Sequence, residues 1–375
     1  MDTNQIYNIV NSVTAQALGS QAITVVDERG LISLGDTILN SSTNTEAFLN
    51  TLVQRIGRTI ISYRRYRSMF SDLLRSDTEW GGIIQKIKVS MPQAEEDQSF
   101  DLEDGGTVDH FKINKPKVSQ KLFVSRTPYQ MHITIQREHL KEAFLSVQAL
   151  DSFIGAIYGE VQNAIEMQIE NMGRNALNNY IAEVSDSATR RIHLLTEYQQ
   201  ETGAQSPLTP QEALLDEAFL RFAISRIKEV STLMTSMSTI FNDGSESRHT
   251  PYELQRLYIM NRFEKRLETQ VQYAAFKDQY VKLNGFLEVP FLQSIQTPNE
   301  VQVIRASDKD SGATTTVSNI VAMIFDYEAL GTYKNDEWTS TTPFNSAGGY
   351  ANTYWHFKKL WFNDLSENFI LFTLD

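Results

Sequence analysis

Histidine and the acidic side chains are the groups in this chain that could do acid–base or metal chemistry. None of its six histidines belongs to an HExxH motif or forms a pair four residues apart, so the sequence does not predict a zinc site. Cysteine is absent, which excludes disulfides, cysteine-ligated metals and a thiol nucleophile. The strings GxSxG, GxGxxG and GxxxxGKS or GxxxxGKT do not occur. We therefore predict no catalytic residue, no cofactor and no metal.

Charged residues are instead segregated into blocks. Residues 95–109 contain seven acids and no base: Glu95, Glu96, Asp97, Asp101, Glu103, Asp104 and Asp109. The bases that follow, without an intervening acid, are Lys112, Lys115, Lys117, Lys121 and Arg126. Paired carboxylates can bind calcium or hydrolyse glycosides, but these acids lie in a polar stretch with no core around it. The pattern favours pairing with another copy of the chain.

A second basic surface is predicted on a helix over residues 46–75. Apolar residues at spacings of three or four form one face of this helix. The opposite face carries Arg55, Arg58, Arg64, Arg65 and Arg67. It is either a solvated face or a surface that meets an acidic partner.

The elements that would position these charges include a long β-hairpin and a long helix. Residues 83–89 and 111–135 read as two extended stretches joined by the polar tip, which is typical of a hairpin. Residues 151–184 have apolar positions every three or four residues and predict a helix about 50 Å long. Residues 1–50 are rich in Asn, Ser, Thr and Gln and predict one short helix within an otherwise extended arm.

The second half of the chain predicts alternating helices and strands. Thr209, Pro210 and Glu212 form a capping box that begins a helix. Residues 257–260, 286–290 and 320–327 read as strands, and Asn261 begins a helix that reaches about Phe276. Ten aromatic residues lie between 338 and 375, and those of residues 350–357 fall mostly on even positions, which predicts that the even face is buried.

Composition limits the function classes. The length of 375 residues suggests two or three domains, and 41% hydrophobic residues are enough for a sizeable core. The net charge of −12 argues against a surface that grips nucleic acid all over. No apolar run approaches the roughly 18 residues of a membrane helix, and the first basic residue is Arg29, so no signal peptide is expected.

The order of these elements resembles the major capsid proteins of tailed double-stranded DNA bacteriophages, which have the Hong Kong 97-type capsid fold. The resemblance rests on residues 258–261 (YIMN) before a helix, on 284–290 (NGFLEVP) and on 322–331 (AMIFDYEALG). It implies an α+β fold with an N-terminal arm, an extended β-hairpin loop, a long spine helix, and peripheral and axial domains. The implied ranges are 1–80 for the arm and helix, 81–128 for the extended loop, 129–208 for the peripheral domain with its spine helix at 151–184, 209–317 for the axial domain, and 318–375 for C-terminal strands of the peripheral domain.

The resemblance also implies a function and partners. The chain would be a structural subunit that assembles into hexamers and pentamers of an icosahedral shell around double-stranded DNA. It would belong to the virion and be assembled in the host cytoplasm. The chain has no room for the cleaved helical scaffolding segment of some family members, so it resembles either the members that use a separate scaffolding protein or the mature form after processing. A separate scaffolding protein and a portal are the expected partners. The acidic tip, residues 95–109, would contact a basic surface of another copy. That surface is either the arginine face, Arg55 to Arg67, or the lysine strip, Lys112 to Arg126.

Two alternatives remain open from sequence alone. An encapsulin-type nanocompartment would have the same shell fold with an enzyme as cargo. A soluble enzyme of mixed α/β fold would need a polar pocket with perturbed titratable groups. Some family members cross-link lysine to asparagine, but nothing in this sequence marks such a pair.

Overall fold

The computed structural model describes most of the chain. The described residues are 3–19, 24–56, 66–75, 84–92, 94–97, 102–107, 109, 111, 113, 115–124, 127–203, 208–244, 246–270, 286–305 and 308–375. Its helices are α1 Thr3–Leu18, α2 Glu28–Leu39, α3 Ser42–Ile56, α4 Arg137–Ala143, α5 Val147–Val184, α6 Leu194–Thr202, α7 Pro210–Ala213, α8 Glu217–Leu233 and α9 Asn261–Gln270. Its strands are β1 Ile84–Val89, β2 Val118–Phe123, β3 Thr127–Gln136, β4 Arg191–His193, β5 Gln255–Met260, β6 Phe286–Val289, β7 Val301–Val303, β8 Thr315–Val317, β9 Ile320–Asp326, β10 Leu330–Thr341, β11 Tyr350–Asn363 and β12 Phe369–Thr373.

The N-terminal region is helical, so the prediction of a largely extended arm was wrong. The side chain of Asp27 caps α2 by accepting a hydrogen bond from the backbone N–H of Gly30. Apolar residues of α1 to α3 are buried with the start of α5; they include Val10, Leu34, Ile38 and Phe48. The polar composition obscured a stripe at helical spacing, Leu31, Leu34 and Ile38, which is enough to hold a helix against the body.

The predicted helix over 46–75 is shorter than expected. Helix α3 ends at Ile56, residues 57–65 lie outside the described part of the chain, and residues 66–75 are not helical, with turns over 69–73. Phe70 in those turns packs against Gly173 of α5, where an added Cβ would lie 2.6 Å from the Cβ of Phe70. Only glycine permits so close an approach of this segment to the helix.

Helix α5 organises the molecule. It covers the helix predicted over 151–184 and begins four residues earlier, where the side chain of Ser146 caps it. Its 38 residues make it about 57 Å long. Leu150 and Ile154 pack with the N-terminal helices, Ile165 and Met172 pack under β11, and Leu177 and Tyr180 pack under β9 and β12. One helix therefore contributes to three successive parts of the core.

Two larger sheets lie along this helix. The first has the strand order β10-β11-β3, all antiparallel. Over residues 351–359 of β11 the odd residues are buried, including Trp355 and Phe357, so the prediction that the even face of 350–357 is buried was wrong. The even-numbered aromatics Tyr350 and Tyr354 are only half-buried because α5 covers the other face.

The second sheet has the order β4-β12-β9-β5-β6, with α6, α8 and α9 packed against it. The predicted strands over 257–260, 286–290 and 320–327 are β5, β6 and β9, and the capping box at Thr209 is present. Helix α9 begins at Asn261 as predicted and ends at Gln270, before residues 271–285, which lie outside the described part of the chain. Because β9 pairs with β5 and β12 pairs with β9, a domain boundary at 317/318 would cut through one sheet.

Candidate functional site

The most unusual surface is the two-stranded sheet of β1 and β2, the base of the predicted hairpin. The strands pair antiparallel with Lys86 opposite Lys121 and Ile87 opposite Gln120. Because side chains alternate along a strand, one face carries the lysines and the other carries apolar residues. A sheet on a protein surface usually turns its apolar face to the core and its charged face to solvent, and this sheet does the reverse.

The apolar face points to solvent. More than half of each of its four aliphatic side chains is exposed: Ile87 60%, Val89 57%, Val118 59% and Leu122 53%. Further along the hairpin, Phe111 is 88% exposed and Ile113 is 78% exposed. Exposed apolar side chains grouped on one face of a sheet are typical of interaction sites in native proteins.

The polar face points to the body of the molecule and is held there by ion pairs. Asp364, whose side chain is fully buried after the end of β11, accepts a hydrogen bond from Lys121 at 2.7 Å. Its other oxygen lies 3.0 Å from the ammonium of Lys86 and 3.2 Å from that of Lys88. Glu367 lies 2.6 Å from both of these ammonium groups. We call these five residues, Lys86, Lys88, Lys121, Asp364 and Glu367, the hairpin clamp.

The clamp explains how like charges can face each other across the hairpin. Two lysines directly opposite each other in a sheet repel, so the pair of Lys86 and Lys121 is unfavourable by itself. Burial raises the pKa of Asp364, but hydrogen bonds from Lys121 and Ser366 and the charge of Lys86 outweigh it and hold the pKa well below its usual range. Burial lowers the pKa of Lys86, and Glu367 and Asp364 more than offset this, so that pKa is raised. Both shifts favour the charged forms of Asp364 and Lys86.

Among the described residues of the hairpin, Phe123 makes an aromatic contact with the body. The rings of Phe123 and Phe362 lie 4.8 Å apart between centroids. The hairpin is thus docked on its own chain mainly through charged groups, while its apolar groups face outward.

The charged residues predicted to contact other subunits are either exposed or outside the described part of the chain. In the acidic tip, Glu96, Glu103 and Asp104 are exposed, as are Glu95 and Asp97, and Asp101 lies outside the described part of the chain. In the lysine strip, Lys115 and Lys117 are exposed, and Lys112 lies outside it. Arg55 lies on the last turn of α3, but its side chain, and all of Arg58, Arg64 and Arg65, are not described.

Sequence reasoning missed the clamp because it assigned Lys121 to an inter-subunit strip. The structure pairs this lysine with Asp364 of its own chain, 243 residues away. The alternation of Lys86 and Lys88 with Ile87 and Val89 was a signal of a two-faced strand, but it did not reveal which face turns inward. Among the described residues no group of three or more His, Asp or Glu side chains could hold a metal ion, and no described helix is long and apolar enough to cross a membrane.

Comparison with solved structures identifies the class. The chain superposes on a chain of the capsid structure of Staphylococcus phage Andhra with a TM-score of 0.57 and 12% identity, covering 84% of this chain and 87% of that one. A chain in the structure of the head fiber and inner core protein of native bacteriophage P68 gives a TM-score of 0.54 at 11% identity, with the same coverage of both chains. The fold is that of tailed-phage capsid proteins, the Hong Kong 97-type fold, as predicted.

Sequence comparison identifies the family. The profile of the Phi29-like phage major capsid proteins matches residues 9–373, and the chain belongs to this family. The major capsid protein of Bacillus phage GA-1 is 24% identical over 179 residues, 47% of this chain and 37% of that protein. That of Bacillus phage B103 is 24% identical over 186 residues, 49% of this chain and 40% of that protein. The matched regions therefore span well under half the length of these curated relatives.

Family membership decides between the alternatives left open by the sequence. The members are structural capsid proteins rather than enzymes, which confirms the prediction that this chain is not an enzyme. A phage major capsid protein is a component of the virion. The matches support the phage capsid hypothesis and give no support to the nanocompartment alternative.

Proposed function

We propose that this chain assembles into the hexamers and pentamers of an icosahedral shell that encloses the double-stranded DNA of a tailed phage. The observation that carries the proposal is the outward apolar face of the hairpin, Ile87, Val89, Val118 and Leu122. In this proposal a neighbouring copy covers that face, and the clamp holds the hairpin in the orientation that presents it.

The size of the apolar face fits a contact that is repeated many times. Fully burying one Val, Leu or Ile side chain stabilises by about 1.5–3 kcal/mol. Since each of the four is already partly covered, about 1 kcal/mol each remains to be gained, or roughly 4 kcal/mol per subunit. A contact of this strength is weak for one pair of subunits, and a closed symmetric assembly multiplies it.

In this proposal the blocks of like charge align neighbouring copies with each other. We propose that the acidic tip, Glu95, Glu96, Asp97, Asp101, Glu103 and Asp104, contacts basic groups of another copy. The predicted basic groups are Arg55, Arg58, Arg64, Arg65, Lys112, Lys115 and Lys117. Exposed pairs contribute about 0–1 kcal/mol each, so they tune assembly rate and alignment more than affinity.

We further propose that the domains follow the two sheets. The axial domain would contain the sheet β4-β12-β9-β5-β6, and the peripheral domain would contain α5 with the sheet β10-β11-β3. A separate scaffolding protein, a portal and DNA packaged without sequence-specific contacts are the partners expected for such a subunit, with assembly in the host cytoplasm.

The experiment is expression of the full chain, alone and with a scaffolding protein, followed by negative-stain electron microscopy. We expect uniform shells from the wild type and none from Ile87→Lys, because a charge on the covered face blocks burial. Ile87→Val keeps the face apolar and should assemble. The melting temperature of unassembled Ile87→Lys should match that of the wild type, since substitutions at exposed positions usually change stability little. A wild type that stays a stable monomer under both conditions would refute the proposal.

A further inference from the structure

A cleft of about 410 Å³ lies between the docked hairpin and the body of the molecule. The hairpin forms one wall with Lys86 and Phe123, and the body forms the other with Arg75, Tyr327 and Phe362. This volume is near the lower end of the range of about 300–1,000 Å³ that is usual for small-molecule sites. The size of the cleft therefore suits a small organic molecule.

Arg75 brings a positive charge to this cleft without a carboxylate beside it. Its guanidinium lies 3.1 Å from the centroid of the Tyr327 ring and donates a hydrogen bond of 3.1 Å to the backbone carbonyl of Leu330. Within the described ranges of the chain, no carboxylate forms an ion pair with this guanidinium. A guanidinium has five N–H donors in a planar fork, so most of them can serve a ligand in the cleft.

The other cation on the wall already has its counter-charges. The ammonium of Lys86 lies 3.0 Å from the carboxylate of Glu328, which also lines the cleft, and it is held by the acids of the clamp. Arg75 is therefore the cation of the wall that has no anion in contact. A ligand with a single negative charge matches this balance, because electrostatic complementarity requires one opposite charge for one unpaired cation.

The surroundings of Arg75 favour an anion further. Burial lowers the pKa of Arg75 to about 10, and the positive charge of Arg256 acts in the same direction. Both effects destabilise the cationic form, which still predominates at pH 7. A bound anion would stabilise that form.

The rest of the wall is aromatic and comes from both parts of the molecule. The rings of Phe123 in β2 and Phe362 in β11 lie 4.8 Å apart between centroids, and Tyr333 lies 6.0 Å from Phe362. Aromatic rings attract one another in offset or edge-to-face contacts at such distances. An aromatic surface beside a guanidinium suits a flat, apolar ligand with an anionic group at one end.

We propose that this cleft binds a small aromatic carboxylate, whose anionic group pairs with Arg75 and whose ring lies against Phe123 and Phe362. A carboxylate matches the guanidinium fork with two parallel hydrogen bonds, which fix its orientation as well as its position. The inference does not depend on shell assembly, since every group of the site belongs to a single chain.

Binding in the cleft is coupled to docking of the hairpin. Because the hairpin supplies one wall, the complete site exists only while the clamp holds the hairpin against the body. A ligand that binds one of two states shifts the equilibrium toward that state by the factor 1 + [L]/Kd. At a ligand concentration of ten times Kd, the ratio of docked to undocked hairpin should therefore rise about tenfold.

Calorimetric titration of the unassembled full-length chain with 2-naphthoate tests the proposal. We expect a Kd of about 1 mM or tighter, as is ordinary for a ligand of this size. Two analogues separate the contributions: 2-naphthylmethanol has the ring without the charge, and acetate has the charge without the ring. Each should bind at least about tenfold more weakly than 2-naphthoate, because each loses one half of the site. Absence of 2-naphthoate binding, or equal binding of 2-naphthylmethanol, would overturn the inference.

A pair of arginine variants tests the role of the guanidinium. Arg75→Gln should weaken 2-naphthoate binding at least about tenfold. The matched control is Arg221→Gln, which removes an exposed guanidinium paired with Glu217 on α8 and should bind like the wild type. Equal weakening in both variants would show that binding follows net charge, and the inference would then be wrong. The analogue series uses the wild type alone, so it decides the matter even where Arg75→Gln does not fold.

Hydrogen exchange of the same unassembled chain locates the ligand. With 2-naphthoate at ten times its Kd, amides of β1 and β2 should exchange up to about tenfold more slowly, and those of α8 should keep their rates. Binding without slower exchange in β1 and β2 would place the ligand outside the cleft and overturn the inference. These measurements need no assembly, so their failure leaves the proposed shell function untouched, and absence of wild-type shells refutes that function alone.

Discussion

Replacing Asp364 by asparagine should release the hairpin without unfolding the rest of the chain. The substitution keeps the size of the side chain and removes its negative charge. In the wild type this fully buried carboxylate contacts Lys86, Lys88 and Lys121, whose side chains are 17%, 7% and 40% exposed. Without it the three ammonium groups face each other with Glu367 as their remaining buried counter-charge.

The expected cost follows from the burial of these groups. Removing one partner of a buried ion pair costs about 3–5 kcal/mol because the remaining charge is left uncompensated. Since Glu367 still lies 2.6 Å from Lys86 and Lys88, we expect the lower end, about 3 kcal/mol. At 1.4 kcal/mol per factor of ten, the ratio of docked to undocked hairpin should fall roughly 100-fold.

Hydrogen exchange of the unassembled protein measures this ratio. An undocked two-stranded hairpin is marginally stable, so amides of β1 and β2 should exchange up to about 100-fold faster in Asp364→Asn. Amides of α5 and β9 should keep their wild-type rates. The control is Asp308→Asn, whose carboxylate is partly exposed and lies 2.9 Å from Arg305; such a pair contributes about 0–1 kcal/mol. Unchanged exchange in β1 and β2, or equal acceleration throughout the chain, would refute the clamp.

The clamp should also resist mild acid. Because the pKa of Asp364 is depressed, its ionised form contributes stability at every pH above the unfolded value of about 3.9. That contribution is lost only as the pH falls through the depressed pKa. Hairpin protection should therefore be the same at pH 5 and pH 7, and an early loss near pH 5 would show that Asp364 is not held in this way.

Two further predictions concern the core. Gly173→Ala should destabilise the protein by about 1–3 kcal/mol, because the added Cβ would overlap Phe70, and a urea titration that shows no shift would contradict this packing. Tyr258→Phe removes the hydroxyl that donates to both oxygens of Asp72 at 2.8 and 2.7 Å and should cost about 1–3 kcal/mol. Burial already raises the pKa of Asp72, and losing the donor raises it further, so the loss of stability should be larger at pH 7 than at pH 4; equal losses at both pH values would argue against it.

Local signals in the sequence were sufficient for many elements. The capping box of Thr209 and Glu212 lies where it was predicted because its groups are three residues apart and need no distant partner. Strand β5 could be predicted from its short run of apolar residues. The start of α9 could be predicted from Asn261 and the helical spacing of apolar residues that follows it. The long helix α5 was visible because its apolar spacing persists over ten turns.

Other elements could not be predicted correctly, either because their composition is polar or because their apolar residues occur on both faces. The N-terminal helices are polar enough to resemble an extended arm, although the capping residue Asp27 and the stripe of Leu31, Leu34 and Ile38 were present. In β11 aromatics occur on both faces, so the pattern alone did not decide which face α5 covers. The sheet that joins β9 and β12 to β5 depends on distant pairings: partners in β5 and β9 are more than 60 residues apart, and partners in β9 and β12 are more than 40 residues apart.

The sequence by itself determined the order of elements, the segregation of charge along the hairpin and the resemblance to capsid proteins. Each of these depends on residues that are close together in the chain. The tertiary structure alone decided that the lysines of β1 and β2 turn inward and the aliphatic residues turn outward. That orientation follows from Asp364 and Glu367, more than 240 residues further along the chain, because buried ammonium groups require carboxylates beside them.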